Sequence, residues 1–265
     1  MMYTDQLSSL KNPKIKELIV LQERSKERRE KGLFIVEGIR ELEACISGGY
    51  EIESLFFVPE QYPAERVGKI SCNHLYSLTS CIYSKIAYRG GREEVIAVVK
   101  ERKRYLSDII LSKNPLVIVL ESVEKPGNLG AVLRTADAAK IDAVIVCDPL
   151  TDLFNPNVIR SSLGAVFTNQ VCCCSSEECY KWLKENRINI LTAELQAAVW
   201  YHKTDMSVPS AIVMGSEADG LKPFWRDHAD ARIKIPMSGV IDSLNVSVST
   251  AIICFEALRQ RDFKF

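Results

Sequence analysis

The chain of 265 residues has three histidines and no net charge, with 34 Lys/Arg against 34 Asp/Glu. So few histidines support acid–base chemistry by imidazole poorly, and His228, in "WRDHAD", suits a structural place near a helix end. No apolar run approaches the roughly 20 residues that a membrane-spanning helix needs. The N-terminus, "MMYTDQLSSLKNPKIKE", lacks the apolar core of a signal peptide. There is no G-x-x-x-x-G-K-[ST] phosphate loop, and "GNLGAVL" supplies only Gly127 and Gly130 of a dinucleotide-binding G-x-G-x-x-G, although Asp148 ends the next strand. The nine cysteines are odd in number and lack a disulfide-framework spacing, so they read as free thiols in a reducing cytoplasm. "VCCCSSEEC" holds four of them without a C-x-x-C pair or a nearby His; no metal is expected, and the three adjacent thiols read as small apolar groups.

What is present suits a globular protein with a core: 47% of residues are hydrophobic and 26% charged. The charge is unevenly spread. Residues 1–104 carry 18 Lys/Arg and 15 Asp/Glu, with basic clusters at 11–31, "RGGR" (89–92) and "KERKR" (100–104). Such clusters either steer a polyanion or form a solvated helix face laced with pairs such as Glu27–Lys31. Residues 1–31 have near-helical apolar spacing through Ile15, Leu18 and Ile19. Strands are expected at 33–38, 52–58, 74–79 and 94–100, with a helix at 39–49 stopped by paired glycines. This is a small α/β domain, 1–105, closed by a basic linker.

Beyond it, "LVIVLE" (116–121), "AVIVCD" (143–148), "INILTAEL" (188–195) and "SAIVMGSE" (210–217) are continuously apolar and do not alternate. Both faces are therefore buried, as in a parallel sheet covered by helices, here expected at 129–140, at 155–166 opening on Asn155-Pro156, and at 175–187 with Ser175 and Glu178 at capping-box spacing. Residues 106–265 are thus an α/β domain, and its chemistry belongs in the loops at the carboxyl ends of the strands. Three of those loops are too specific for caps alone. Asn128 sits at a strand-to-helix turn with Arg134 nearly two turns on. An Arg on a helix of Ala, Val and Leu is costly when buried, so it either pairs with a buried carboxylate or stands beside an anionic substrate. "IPMSGVIDSLNVSVST" (235–250) runs from a strand-like start through a polar loop into an apolar helix, and the loop is either a cap or a binding site.

"NLGAVLRT" (128–135), "GSEADGL" (215–221) and "IPMSGVIDSLNVS" (235–247), in this order, resemble the three signature motifs of the SpoU (TrmH) family of RNA 2′-O-ribose methyltransferases. "NPKIKEL", "FIVEGIRELEAC" and "EEVIAVV" resemble that family's N-terminal substrate-binding domain, so the likeness spans nearly the whole chain. It implies a C-terminal trefoil-knotted α/β methyltransferase domain with a smaller N-terminal α/β RNA-binding domain, whereas periodicity alone suggests an unknotted sheet. It also implies S-adenosyl-L-methionine as cofactor, contacted by Gly215, Ile235 and Leu244, with Thr192 added. The family's catalytic set falls on Asn128, Arg134, Glu217, Ser243 and Asn245, with Arg134 activating the ribose hydroxyl as a base or as a charged group. A homodimer through the C-terminal domain is implied too, in keeping with the apolar last helix "VSVSTAIICFEALRQ". Ribosomal RNA is the expected substrate. The alternatives are transfer RNA, a non-catalytic RNA-binding or ribosome-assembly factor and, more distantly, a nicotinamide-dependent enzyme. Ala218-Asp219 departs from the family pattern, where glycine or a basic residue is common, and bears on substrate fit.

Overall fold

The computed structural model describes residues 5–62, 64–88, 95–196, 199–240 and 243–264. "RGGR" and the start of "EEVIAVV" lie outside these residues, as do Ile241 and Asp242 of the third motif. The chain divides into one unit of 1–102 with 152–168, and a second of 103–151 with 169–265. The second stretch of the first unit departs from a linear boundary at 105.

The first unit begins with β1 (Asp5–Leu7), α1 (Pro13–Glu23), α2 (Ser25–Lys31), β2 (Leu33–Glu37) and α3 (Ile39–Ser47). It continues through β3 (Ile52–Phe57), α4 (Ala64–Val67), β4 (Cys72–Leu78), α5 (Ser80–Ile86) and β5 (Val95–Lys100). The strands form a mixed sheet in the order β1-β4-β3-β5-β2. Ile15, Leu18 and Leu21, at helical spacing on α1, pack into its core with Ile35, Phe56 and Ile96. Each such burial is worth roughly 1.5–3 kcal/mol.

The single helix expected over 1–31 is instead a strand and two helices, broken at Arg24, whose backbone is extended (φ −113°, ψ 107°). The break frees carbonyls at the end of α1, and buried Arg28 takes two of them, Nη1 donating to Leu21 O at 2.6 Å and Gln22 O at 3.0 Å. Its Nε donates to Asp152 at 2.7 Å. Phe34 stacks on Phe154 with ring centroids 4.3 Å apart. These contacts hold 152–168 to the first unit. The helix expected at 155–166 is also split, into α7 (Pro156–Ser161) and α8 (Ala165–Thr168), after α6 of the other unit. Leu163 and Gly164 between them are left-handed (φ 54° and 83°), and a Cβ at Gly164 would lie 2.6 Å from that of Ala44 on α3. The close approach of α3 leaves no room for a side chain there.

The second unit contains β6 (Leu116–Glu121), α6 (Pro126–Ala138), β7 (Ala143–Cys147), β8 (Val171–Cys174), α9 (Ser176–Glu185), β9 (Asn189–Ala193) and β10 (Val199–Trp200). It ends with β11 (Ser210–Met214), α10 (Pro223–Asp227), β12 (Ala231–Lys234) and α11 (Val246–Gln260). The sheet order is β10-β12-β9-β11-β6-β7-β8, every neighbour parallel. Every residue of β6, β7 and β11 is buried, as the unbroken apolar runs require. Ser175 and Glu178 form the capping box expected at the start of α9. Among the described residues, no helix is long and apolar enough to cross a membrane.

Candidate active site

The three motif loops follow β6, β11 and β12, at the carboxyl ends of strands in the second unit. They meet through three side chains. Asn128, in the first turn of α6, donates from Nδ2 to Glu217 Oε1 at 2.6 Å. Asn245 Nδ2 donates to the same oxygen at 2.7 Å and to Asn128 Oδ1 at 3.1 Å. Lys125 Nζ donates to Glu217 Oε2 and forms an ion pair with it. The Lys125 hydrogen bond, then that of Asn128, hold the Glu217 carboxyl below its ordinary value against the opposing effect of burial. An ionised carboxylate accepts all three donors without needing a proton, so the network is fully formed at neutral pH.

Asn245 has a second role. Its Oδ1 caps α11, accepting from Ser247 N at 2.9 Å and Ser247 Oγ at 2.6 Å. One amide thereby fixes the helix start and turns its other face to the acid of the second motif. The end of the polar loop before α11 thus caps that helix and joins the Asn128–Glu217 hydrogen-bond network.

The second motif is shaped by glycine. Ser216 and Gly220 exchange both backbone hydrogen bonds at 3.1 Å, closing a tight turn with Gly220 left-handed (φ 67°). A Cβ on Gly215 would lie 2.2 Å from Gly220 C and 2.4 Å from Leu221 N. The turn folds back on bare backbone, and only glycine fits there. A cleft of about 260 Å³ opens beside it, lined by Val123, Lys125, Asn128, Gly215, Glu217 and Val246 among others. Two valines suit an apolar ring, and the Glu217 carboxylate, already paired with Lys125, suits a hydroxyl donor.

The other expected site residues are placed as follows. Arg134 is exposed on α6 and, among the described residues, has no ion pair. The buried Arg–carboxylate pair weighed from the sequence does not form, because Leu129, Val132, Leu133 and Ala136 take the buried face and leave Arg134 the outer one. Ser243 and Leu244 are exposed immediately before α11, and Ile235 is half-buried just after β12. Thr192 is fully buried, and its hydroxyl donates to Glu194 at 2.9 Å, outside the Asn128–Glu217–Asn245 network. Glu194 in turn is held by Arg232 at 2.8 Å.

Two residues escaped the sequence reading. Lys125 precedes α6 and carries no motif signature, yet it neutralises Glu217. Glu121 ends β6 at 1% exposure, where it accepts the backbone N–H of Lys222 at 2.8 Å. Burial pushes its carboxyl up, partly offset by that hydrogen bond. An acid closing an unbroken apolar run was the available signal. Glu121 ties the exit of the second motif loop to the strand that enters the first.

The SpoU rRNA Methylase family matches residues 115–255, which contain all three loops. The chain belongs to this family. An MRM3-like substrate binding domain matches residues 12–97. The SpoU family relatives include the 23S rRNA (guanosine(2553)-2'-O)-methyltransferase RlmP of Bacillus subtilis (strain 168), 29% identical over 94% of this chain and 98% of that one. The 23S rRNA (guanosine-2'-O-)-methyltransferase RlmB of Pectobacterium atrosepticum is 35% identical over 67% of this chain and 75% of its own. Among solved structures, an S-adenosylmethionine-bound rRNA methyltransferase from Sinorhizobium meliloti superposes with a TM-score of 0.87 at 29% identity, covering 97% of this chain and 98% of that one.

Proposed function

We propose that this protein transfers a methyl group from S-adenosylmethionine to a ribose 2′-oxygen of 23S rRNA, in the cytoplasm. The observation that carries the reading is the convergence of Asn128 and Asn245, from the first and third motif loops, on the Glu217 carboxylate of the second. Bound S-adenosylmethionine supplies a methyl group already activated on a sulfonium. Gly215, Ile235 and Leu244 would hold it, with Thr192 contributing backbone only, since its hydroxyl is engaged by Glu194. The loops are then part of the trefoil knot implied by the family likeness. Free thiols at all nine cysteines are in keeping with a reducing compartment.

The protein's task is to align the ribose oxygen with the methyl and to lower the cost of its deprotonation. Arg134 is suited to this by its exposure: its guanidinium grips an RNA phosphate in bidentate fashion and stabilises developing negative charge on O2′. Asn128, Glu217 and Asn245 hold the loops rigid around the cleft, and Ser243 orients substrate. The test is transfer of labelled methyl to 23S rRNA, with the product linkage at that position resistant to alkali.

RNA affinity is assigned to the N-terminal unit. Lys11, Lys14, Lys16 and Arg24 are all exposed around α1. Replacing the three lysines by glutamate should weaken RNA binding and flatten its salt dependence by about 0.7–0.9 in log–log slope for each phosphate no longer neutralised. An unchanged slope would remove this surface from the interface. Point substitutions are preferable to deletion of 1–105, which would strip Phe34 and Arg28 from 152–168.

A homodimer through α11 completes the reading. Thr250, Ile253, Cys254, Ala257 and Leu258 face the core, while Val248 and Phe255 are exposed at 47% and 44% and Ile252 lies between them, half-buried. Positions i, i+4 and i+7 form a second apolar stripe that a monomer leaves in water. Light scattering at micromolar concentration should give twice the chain mass; a monomer contradicts the assignment.

A further inference from the structure

Three thiols converge under α9 that the methyl-transfer reading does not use. Cys147 and Cys174 are register partners at the carboxyl ends of the parallel pair β7–β8, so their side chains share a face of the sheet. Cys179 lies in the first turns of α9, which packs over that face beside Leu183 and Ile145. The three sulfurs lie within 4.8 Å of one another, with Cys147 and Cys179 buried and Cys174 half-buried. Cys172, on the same face of β8 two positions earlier, is buried, and its thiol donates to Cys173 O at 3.8 Å. All are free thiols. Linear spacing conceals the arrangement, because its members come from two strands and a helix and no C-x-x-C pair results.

We propose that Cys147, Cys174 and Cys179 form a binding site for one thiophilic d¹⁰ divalent cation of the zinc and cadmium class. Thiolate ligands select such ions, and a metal–sulfur bond of about 2.3 Å sets sulfurs roughly 3.8 Å apart in tetrahedral geometry. The observed separations lie within a side-chain rotation of that value. The half-buried Cys174 gives the ion its way in and leaves the fourth position to water. Three thiols and one divalent cation give one tris-thiolate complex of net charge −1 and release three protons to solvent. No change in sulfur oxidation state is involved.

The test is titration of the reduced 265-residue chain with Cd²⁺ against a competing chelator, read by the thiolate-to-cadmium absorption band in the ultraviolet. One tight equivalent per chain is expected, displaced by Zn²⁺. Cys179→Ala should weaken it by at least about 100-fold, more than the loss of a mere supporting group around a metal. Cys174→Ser, at a half-buried position, keeps the test valid should the buried variant fail to fold. Cys81→Ser and Cys254→Ser, outside the cluster, should leave the tight equivalent intact. Absence of a tight equivalent, its survival in Cys174→Ser, or its loss in Cys81→Ser would each overturn the proposal. The readout needs no methyl transfer, so its failure and that of the proposed activity are separable.

Discussion

Replacing Arg134 by alanine is expected to lower methyl transfer by on the order of 10²–10³-fold, the usual cost of removing one group that stabilises developing charge. Folding stability should change by no more than about 0.5 kcal/mol, because the side chain is exposed on α6. Cofactor affinity should hardly move, since the groups proposed to contact it lie on other loops. A buried ion pair at this position would have predicted a loss of about 3–5 kcal/mol on truncation, and its absence from the structure makes the experiment cleaner. Arg134→Lys separates two roles. Charge without the planar fork leaves substantial activity if electrostatic positioning dominates, and very little if bidentate grip on phosphate or proton removal is required. An alanine variant that methylates RNA at the wild-type rate sinks the assignment.

Gly215→Ala is expected to be the most damaging single-methyl change in the catalytic unit. The added carbon would lie 2.2 Å from the Gly220 carbonyl carbon and 2.4 Å from its oxygen, both backbone atoms that cannot rotate away. Relief requires opening the Ser216–Gly220 hydrogen-bonded turn, which carries Glu217 between its ends. A destabilisation of about 1–3 kcal/mol follows. Loss of S-adenosylmethionine affinity should exceed what that destabilisation alone gives, because the same turn borders the cleft. Calorimetric titration of the folded variant at low temperature reads this; wild-type affinity would show that Gly215 serves packing alone.

The parallel sheet was legible because β6, β7 and β11 are unbroken apolar runs, and burial on both faces leaves no other reading for segments so short. The capping box at Ser175 and the Asn155-Pro156 helix start were legible for the same local reason: both satisfy backbone N–H groups with side chains a few positions away. Long-range decisions were not. The break at Arg24 depends on Arg28 folding back onto freed carbonyls and reaching Asp152, far along the chain. The split of the 155–166 helix depends on how closely α3 passes Gly164. Within the candidate site, Asn128, Glu217 and Asn245 could be named from motif resemblance, but their shared hydrogen bonds could not. The exposure of Arg134 was not legible, because an apolar helix composition does not say which face a lone cation occupies. Lys125 and Glu121 carry no motif, and only the loop geometry gives them a role. The thiol cluster under α9 is invisible until β7 and β8 are paired.

The central claim is tested most directly by mapping 2′-O-methylated riboses in 23S rRNA from cells with and without the gene, and restoring the gene with wild-type or Arg134→Ala protein. The account predicts one or a few ribose positions that lose methylation with the gene, regain it with the wild type and stay unmethylated with the variant. Unchanged 23S rRNA ribose methylation in the gene's absence, or full restoration by Arg134→Ala, would contradict it.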